Sequence, residues 1–276
     1  MRFSPFLRKE PKKIAHDTIS LTLHGIMNNM RKGVPMTLHE FFELNPKAAL
    51  AFSGGVDSAY LLHAAKEAGA DVKPYFIKTP FQPAFELEDA GKLAPDLTVL
   101  ELDILSCNLV AENPKNRCYH CKKSLFSHLK AQAEADGYTV LLDGTNASDQ
   151  WDDRPGMKAL EELGVLSPLR LCGVTKDEIR HRSREAGLFT WDKPAYACLA
   201  TRVPTGTEIT VELLQKVEKS EEALMKMGYK DLRIRLFSGA ARVQLPENQL
   251  LKADIIAIRE ALNPYFDEVL LDLRGR

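Results

Sequence analysis

The run "ALAFSGGVDSAYLLHAAKEAG", residues 49–69, constrains this chain more than any other stretch. A short apolar segment ends in two glycines, and a helical pattern begins at once and stops at Gly69. Two glycines let the backbone turn tightly and come close to a ligand. The free N–H groups of such a turn, with the dipole of the helix behind them, favour an anion. Ser53 and Ser58 add hydroxyl donors around Gly54 and Gly55. The loop has neither the Gly-Lys-Ser/Thr ending of a Walker loop nor a GxGxxG fingerprint. It has no lysine to hold a γ-phosphate, so pyrophosphate as a leaving group is the ligand it suits. Asp57 makes sense beside a polyphosphate only with a cation such as magnesium (Mg2+) between them. The competing reading is a tight Gly-Gly turn and nothing more.

The flanking pattern says what carries this loop. "DVKPYFIKT", "LTVLELDIL" and "YTVLLDGTNASD" read as strands, with a helix at "KKSLFSHLKAQAEADG" between the last two. Strands alternating with helices predict an α/β fold, a parallel sheet with helices on both faces and sites at the carboxyl ends of its strands. "TKDEIRHRSREAGL" predicts a helix with a Thr175–Glu178 capping box. A proline-rich loop follows, from Trp191 to Gly206. The texture then changes to helix 210–227, strands "LRIRLF" and "ARVQLP", helix 247–262 and strand "EVLLDL". The division this predicts is an N-terminal extension at 1–45, an α/β domain at 46–206 and a small α+β domain at 207–276. Residues 1–13 read as loosely attached, and "HDTISLTLHGIMNNMRKG" as a helix of only fair apolar spacing.

A net charge of −1 over 276 residues argues against a nucleic-acid partner. No stretch approaches the ~20 apolar residues of a membrane helix, and no secretion signal opens the chain. Five cysteines in a chain this long predict reduced thiols and a cytoplasmic location, where a CxxC means metal or redox chemistry. That pair is Cys118 and Cys121, in "RCYHCKK". Arg117, Lys122 and Lys123 favour its thiolate forms. Cys198 lies in "WDKPAYACLATRVPTG", whereas Cys107 and Cys172 sit in apolar surroundings and read as core thiols. CxxC with a third cysteine and His120 leaves open a Cys₃His zinc site, or no metal. In "LRIRLF", Arg233 and Arg235 share one strand face, which periodicity alone would read as solvated.

SGGxDS between strand and helix resembles the PP-loop of the N-type ATP pyrophosphatases, which split ATP into AMP and pyrophosphate while adenylating an acceptor. The resemblance implies ATP held by Ser53, Gly54, Gly55 and Ser58, with Asp57 near Mg2+. "SGGVDS", "RCYHCKKSLF", "LLDGTNASDQWDDRPG", "SPLRLCGVTKDEIR", "WDKPAYACLATRVPTG" and "LRIRLFSGAARVQLP" occur in the order found in the LarE family. That likeness runs from about residue 48 to the C-terminus. It implies an ATP-dependent sulfur transferase, which converts a carboxylate of pyridinium-3,5-biscarboxylic acid mononucleotide to a thiocarboxylate on the way to a nickel-pincer nucleotide cofactor.

Some members give up the sulfur of one cysteine, and others hold a 4Fe-4S cluster on three. Cys118, Cys121 and Cys198 match the three-cysteine pattern; three thiolates leave one iron open to a transferable sulfide. Sacrifice of Cys198 alone stays open, and the source of sulfide is not named by the sequence. The resemblance further implies that Thr201, Arg202, Arg233 and Arg235 bind the mononucleotide phosphate, with Glu221 in the same pocket. It implies too that Arg154 of the Arg-Pro-Gly is a ligand contact and that the chain forms a homo-oligomer. Asn146, Asp149, Asp152 and Asp153 read equally as a polar turn. Two rival functions are a tRNA thiolase and a non-catalytic adenine-nucleotide sensor whose CxxC reports redox state.

Overall fold

The computed structural model describes residues 36–149 and 155–276. The "HDTISLTLHGIMNNMRKG" helix therefore lies outside the described residues, as do Asp152, Asp153 and Arg154. The description opens on a helix the periodicity missed, α1 (Leu38–Leu44). Its signal was a Thr37–Glu40 capping box, and it buries Phe41 and Phe42 completely.

Four strands follow in one sheet: β1 (Lys47–Ala51), β2 (Asp71–Lys78), β3 (Thr98–Glu101) and β4 (Leu141–Leu142). All pairs are parallel and the order is β3-β2-β1-β4. The helices between them are α2 (Val56–Glu67), α3 (Ala84–Leu93), α4 (Asn108–Ala111) and α5 (Arg117–Ala135). Strand alternation decides which face each residue serves. Ala48, Leu50 and Phe76 pack with α1 and α2 through Phe41, Phe42 and Leu61, while Ala49 and Tyr75 pack against Leu129 and Ala133 of α5. Both faces are covered, so the predicted α/β architecture holds.

Because β2 and β4 flank β1, the chain leaves β1 in one direction and returns on the other side of it. The switch point falls at the carboxyl ends of β1 and β4, where a doubly wound sheet opens a crevice. β4 is far shorter than predicted. Beyond it Asp143 turns the chain by accepting from the Thr145 N–H at 3.2 Å and the Ser167 hydroxyl at 2.6 Å.

Next come α6 (Pro155–Glu162), α7 (Pro168–Leu171) and α8 (Lys176–Glu185), the last with the predicted Thr175–Glu178 box in place. A 3₁₀ turn at Leu199–Arg202 leads to α9 (Val211–Lys226). The small sheet is β5 (Arg233–Phe237), β6 (Ala240–Gln244) and β7 (Val269–Leu271), in that order. Ser238 and Gly239, both at positive φ, make the two-residue turn of its antiparallel hairpin. The predicted 247–262 helix is two, α10 (Glu247–Leu250) and α11 (Ile255–Leu262), because Asp254 caps a new start through Ile256 and Ala257 N–H. Leu214 and Val217 of α9 share a buried cluster with Phe81, Ile104, Leu199 and Ala200, so one core runs across residue 207.

Candidate active site

The loop after β1 is built as its sequence implied. Gly54 takes φ +71°, and a Cβ there would stand 3.0 Å from the backbone nitrogen of Ala90. Gly55 is the N-cap of α2, so the first-turn N–H groups face the crevice. The two serines brace the turn internally: the Ser58 hydroxyl accepts from Ser53 N–H at 3.3 Å and donates to the Gly55 carbonyl at 3.2 Å. Asp57 accepts from Asn146 Nδ2 at 3.2 Å, which ties the loop after β1 to the loop after β4.

Lys176 supplies what the loop lacks. It is the first residue of α8, and its ammonium pairs with the Asp57 carboxylate at 2.5 Å. The sequence pattern did not expose it because the two residues are 119 apart; the "TK" after a strand-like run was the available signal.

A cavity of about 240 Å³ lies over the loop. One wall is Ser53, Gly55 and Asp57, another is Gln82 and Glu86 at the start of α3, and the third is Lys176 with the Lys193–Tyr196 segment. Burial pushes the Glu86 carboxyl up to about 7, against the opposing pull of Lys193 and Arg202. A larger cleft of about 490 Å³ shares Gln82 and opens at the ends of β2 and β3, between Phe76, Leu87, Leu102 and Leu214.

The cysteine pair occupies the first turns of α5, which starts at Arg117 rather than at the predicted Lys122. Cys118 and Cys121, three apart on a helix, share a face. Cys198 is brought to the same region by a set of hydrogen bonds. Buried Arg117 donates to Asn113 Oδ1 at 2.8 Å and to the Ala200 carbonyl at 2.9 Å, and lies 3.7 Å from Cys118 Sγ. Asn113, in the left-handed region, donates to the Pro204 carbonyl at 2.8 Å. Burial pushes the Cys121 thiol up to about 12, with Cys198 and Cys118 adding to the effect. Cys198 is raised by its own burial, opposed by Arg117. His120 Nε2 turns instead to Asn116, at 3.0 Å. Among the described residues, no three His, Cys, Asp or Glu side chains form a group that could hold a single metal ion. Cys172 is buried in an apolar cluster, as a core thiol is, whereas Cys107 is half-buried against the same cluster that takes Cys121 and Cys198.

Beyond Cys198 the predicted phosphate binders are tightly bonded. Arg202 is 1% exposed and grips Glu221 through Nε at 2.8 Å and Nη2 at 3.1 Å. It also donates to Thr201 Oγ1 at 2.8 Å and to the Ala197 carbonyl at 2.9 Å. Glu221 accepts from the Tyr196 hydroxyl and from Ile234 N–H as well. Arg233 and Arg235 do share a strand face that packs on the cysteine loop, with Arg233 buried and Arg235 half-buried. Arg233 donates to the Ala195 carbonyl, and Arg235 to the Thr201 carbonyl at 2.6 Å. Burial, with Arg202 beside it, lowers Arg233 to about 10.

No protein-family model matches the chain. An uncharacterized protein of Synechocystis sp. is 37% identical over 249 residues, 86% of this chain and 92% of that one. The pyridinium-3,5-bisthiocarboxylic acid mononucleotide synthase of Lactiplantibacillus plantarum is 31% identical over 83% of this chain and 86% of its own length. A glutamine-hydrolyzing GMP synthase component of Methanosphaerula palustris is 27% identical over 59% of this chain and 58% of that one, a similarity consistent with a phosphate-loop α/β domain. With the loop, the parallel sheet and the likeness to the synthase together, the chain belongs to the LarE family.

Proposed function

We propose that this chain is an ATP-dependent sulfur transferase that acts on a carboxylate of pyridinium-3,5-biscarboxylic acid mononucleotide. The observation that carries the reading is one cavity. The phosphate loop forms one wall, and the Lys193–Tyr196 segment leading to Cys198 forms another. A carboxylate is a poor electrophile because its leaving group would be oxide. Attack of a carboxylate oxygen on the α-phosphorus of ATP expels pyrophosphate and leaves an acyl-adenylate whose leaving group is AMP. The backbone N–H groups of Ser53–Ser58 and the Lys176 ammonium would hold the departing pyrophosphate. Asp57 would orient the Mg2+ that accompanies it. The cleft beside Phe76 and Leu102 would take the nucleoside, and the Arg233–Arg235 face the mononucleotide phosphate.

Sulfur then replaces AMP at the acyl carbon. The donor set of Cys118, Cys121 and Cys198 fits a 4Fe-4S cluster better than a zinc ion, since three thiols stand within electrostatic reach of one another while His120 faces Asn116. When bound, such a cluster supplies an iron open to sulfide. Arg117 and Asn113 hold the two cysteine segments in register for it.

The test is anaerobic. With ATP, Mg2+, sulfide and the pyridinium mononucleotide, purified protein releases pyrophosphate and yields the thiocarboxylate by mass. Iron and sulfide bind the wild type and are lost in Cys118→Ala. Pyrophosphate release absent from a folded preparation overturns adenylation, and dehydroalanine at position 198 after turnover replaces the cluster by sacrifice of that cysteine.

A further inference from the structure

Glu86 stands in the phosphate-loop cavity with nothing to bind. Among the described residues its carboxyl makes no hydrogen bond or ion pair, although Lys193 shares the cavity wall. The other charged groups there are committed. Asp57 is held by Lys176 and Asn146, and Lys193 donates to Asp89 Oδ2 at 2.8 Å. Glu86 is half-buried and its oxygens keep access to solvent, so a ligand entering the cavity can meet its carboxyl directly.

On the nucleotide reading, what enters opposite Glu86 is an anion, because the facing wall is a turn of backbone N–H groups at a helix N-terminus. An ionised carboxylate there would repel it, whereas a neutral acid can donate to a phosphate or carboxylate oxygen. We propose that Glu86 is a specificity residue of this cavity, meeting the bound anion as a neutral carboxylic acid that donates it a hydrogen bond. The inference rests on the nucleotide reading above.

The groups around Glu86 pull in both directions. Asp89 on its own helix disfavours a second charge. Lys193 from the loop after α8, Arg202 from the 3₁₀ turn and Arg233 from β5 favour one. Asp57 and Lys176 face it across the cavity as a mutually neutralised pair, and the Tyr196 hydroxyl is committed to Glu221. Burial outweighs the three cations and holds the carboxyl at about 7, where an approaching anion pulls it wholly into the acid form.

The experiment is calorimetric binding of ATP and of inorganic pyrophosphate, without magnesium, to wild type, Glu86→Gln and Glu86→Ala between about pH 6 and pH 8.5. Each ligand's own ionisation cancels in the comparison between variants. Wild-type affinity falls up to roughly thirtyfold relative to Glu86→Gln across that range, because only the acid form donates. Glu86→Ala binds weakly at both ends. In wild type alone, binding near pH 8 takes up a proton, read as a buffer-dependent heat. That measurement needs no variant to fold. Parallel profiles for wild type and Glu86→Gln, or no proton uptake, overturn the inference while leaving the nucleotide reading standing. Loss of binding in Glu86→Gln only when magnesium is present overturns it in favour of a carboxylate that ligates the metal. A folded wild type that binds neither ligand at any pH, with or without magnesium, overturns the nucleotide reading and this inference with it.

Discussion

Lys176 and Gly54 show how single residues set the properties of the crevice. Lys176 brings a cation to the phosphate loop, paired with Asp57. Replacing it with methionine keeps the stem and removes the charge, so pyrophosphate release is expected to fall at least about tenfold with the fold unchanged by circular dichroism. Gly54 is held at φ +71° against the Ala90 backbone. Gly54→Ala is expected to cost about 1–3 kcal/mol in thermal unfolding and to abolish nucleotide binding, since the turn can neither keep its φ nor admit the methyl. Glu86 adds a pH signature to stability. Its folded-state proton affinity is raised to about 7. The folded chain therefore holds that proton while the unfolded chain has released it, and stability declines as pH climbs from the ordinary carboxyl range through 7. Glu86→Gln removes that decline: its melting temperature exceeds that of wild type at pH 8 and the gap closes by about pH 4.5.

At the scale of elements, the start of α5 and the loop around Cys198 behave as one unit. Arg117 and Asn113 stitch them together, and Arg202 with Glu221 anchors the far side of that loop to α9 and β5. Arg202→Ala leaves the Glu221 carboxylate buried without its counter-charge. The expected loss is about 3–5 kcal/mol in denaturant unfolding, and Arg202→Ala/Glu221→Leu recovers part of it. Burial also grades the thiols. Cys118 is exposed, whereas Cys121 is half-buried with its thiol raised to about 12. In the metal-free chain a maleimide is expected to reach Cys118 at least about tenfold faster, read by mass spectrometry of tryptic peptides. Elements set by local chemistry were legible beforehand: α8 through its Thr175 cap, α2 through Gly55 and Gly69, and β5 and β6 as strands. The start of α5 was not, because the buried arginine at its first position takes one of its partners, the Ala200 carbonyl, from 83 residues away.

On the scale of the whole molecule, the ends of β2 and β3 and the C-terminal unit enclose the larger cleft together. Glu218 of α9 accepts from Ala84 N–H at 2.7 Å at the start of α3. Leu214 and Val217 fill the cluster that holds Leu199 and Ala200. A chain ending at residue 207 is therefore expected to lose its cooperative unfolding transition and to bind a hydrophobic dye, because it exposes the core beneath the cysteine loop. By itself the sequence determined the α/β alternation and the tight Gly-Gly turn after β1. Each depends on backbone conformation or side-chain chemistry within a few residues of itself. Only the tertiary structure decided that Lys176 reaches Asp57, that Glu86 stands unpartnered over the loop and that the Arg233–Arg235 face packs on the cysteine loop. Those relations depend on which distant segments the packed core presses together, and periodicity carries no record of that.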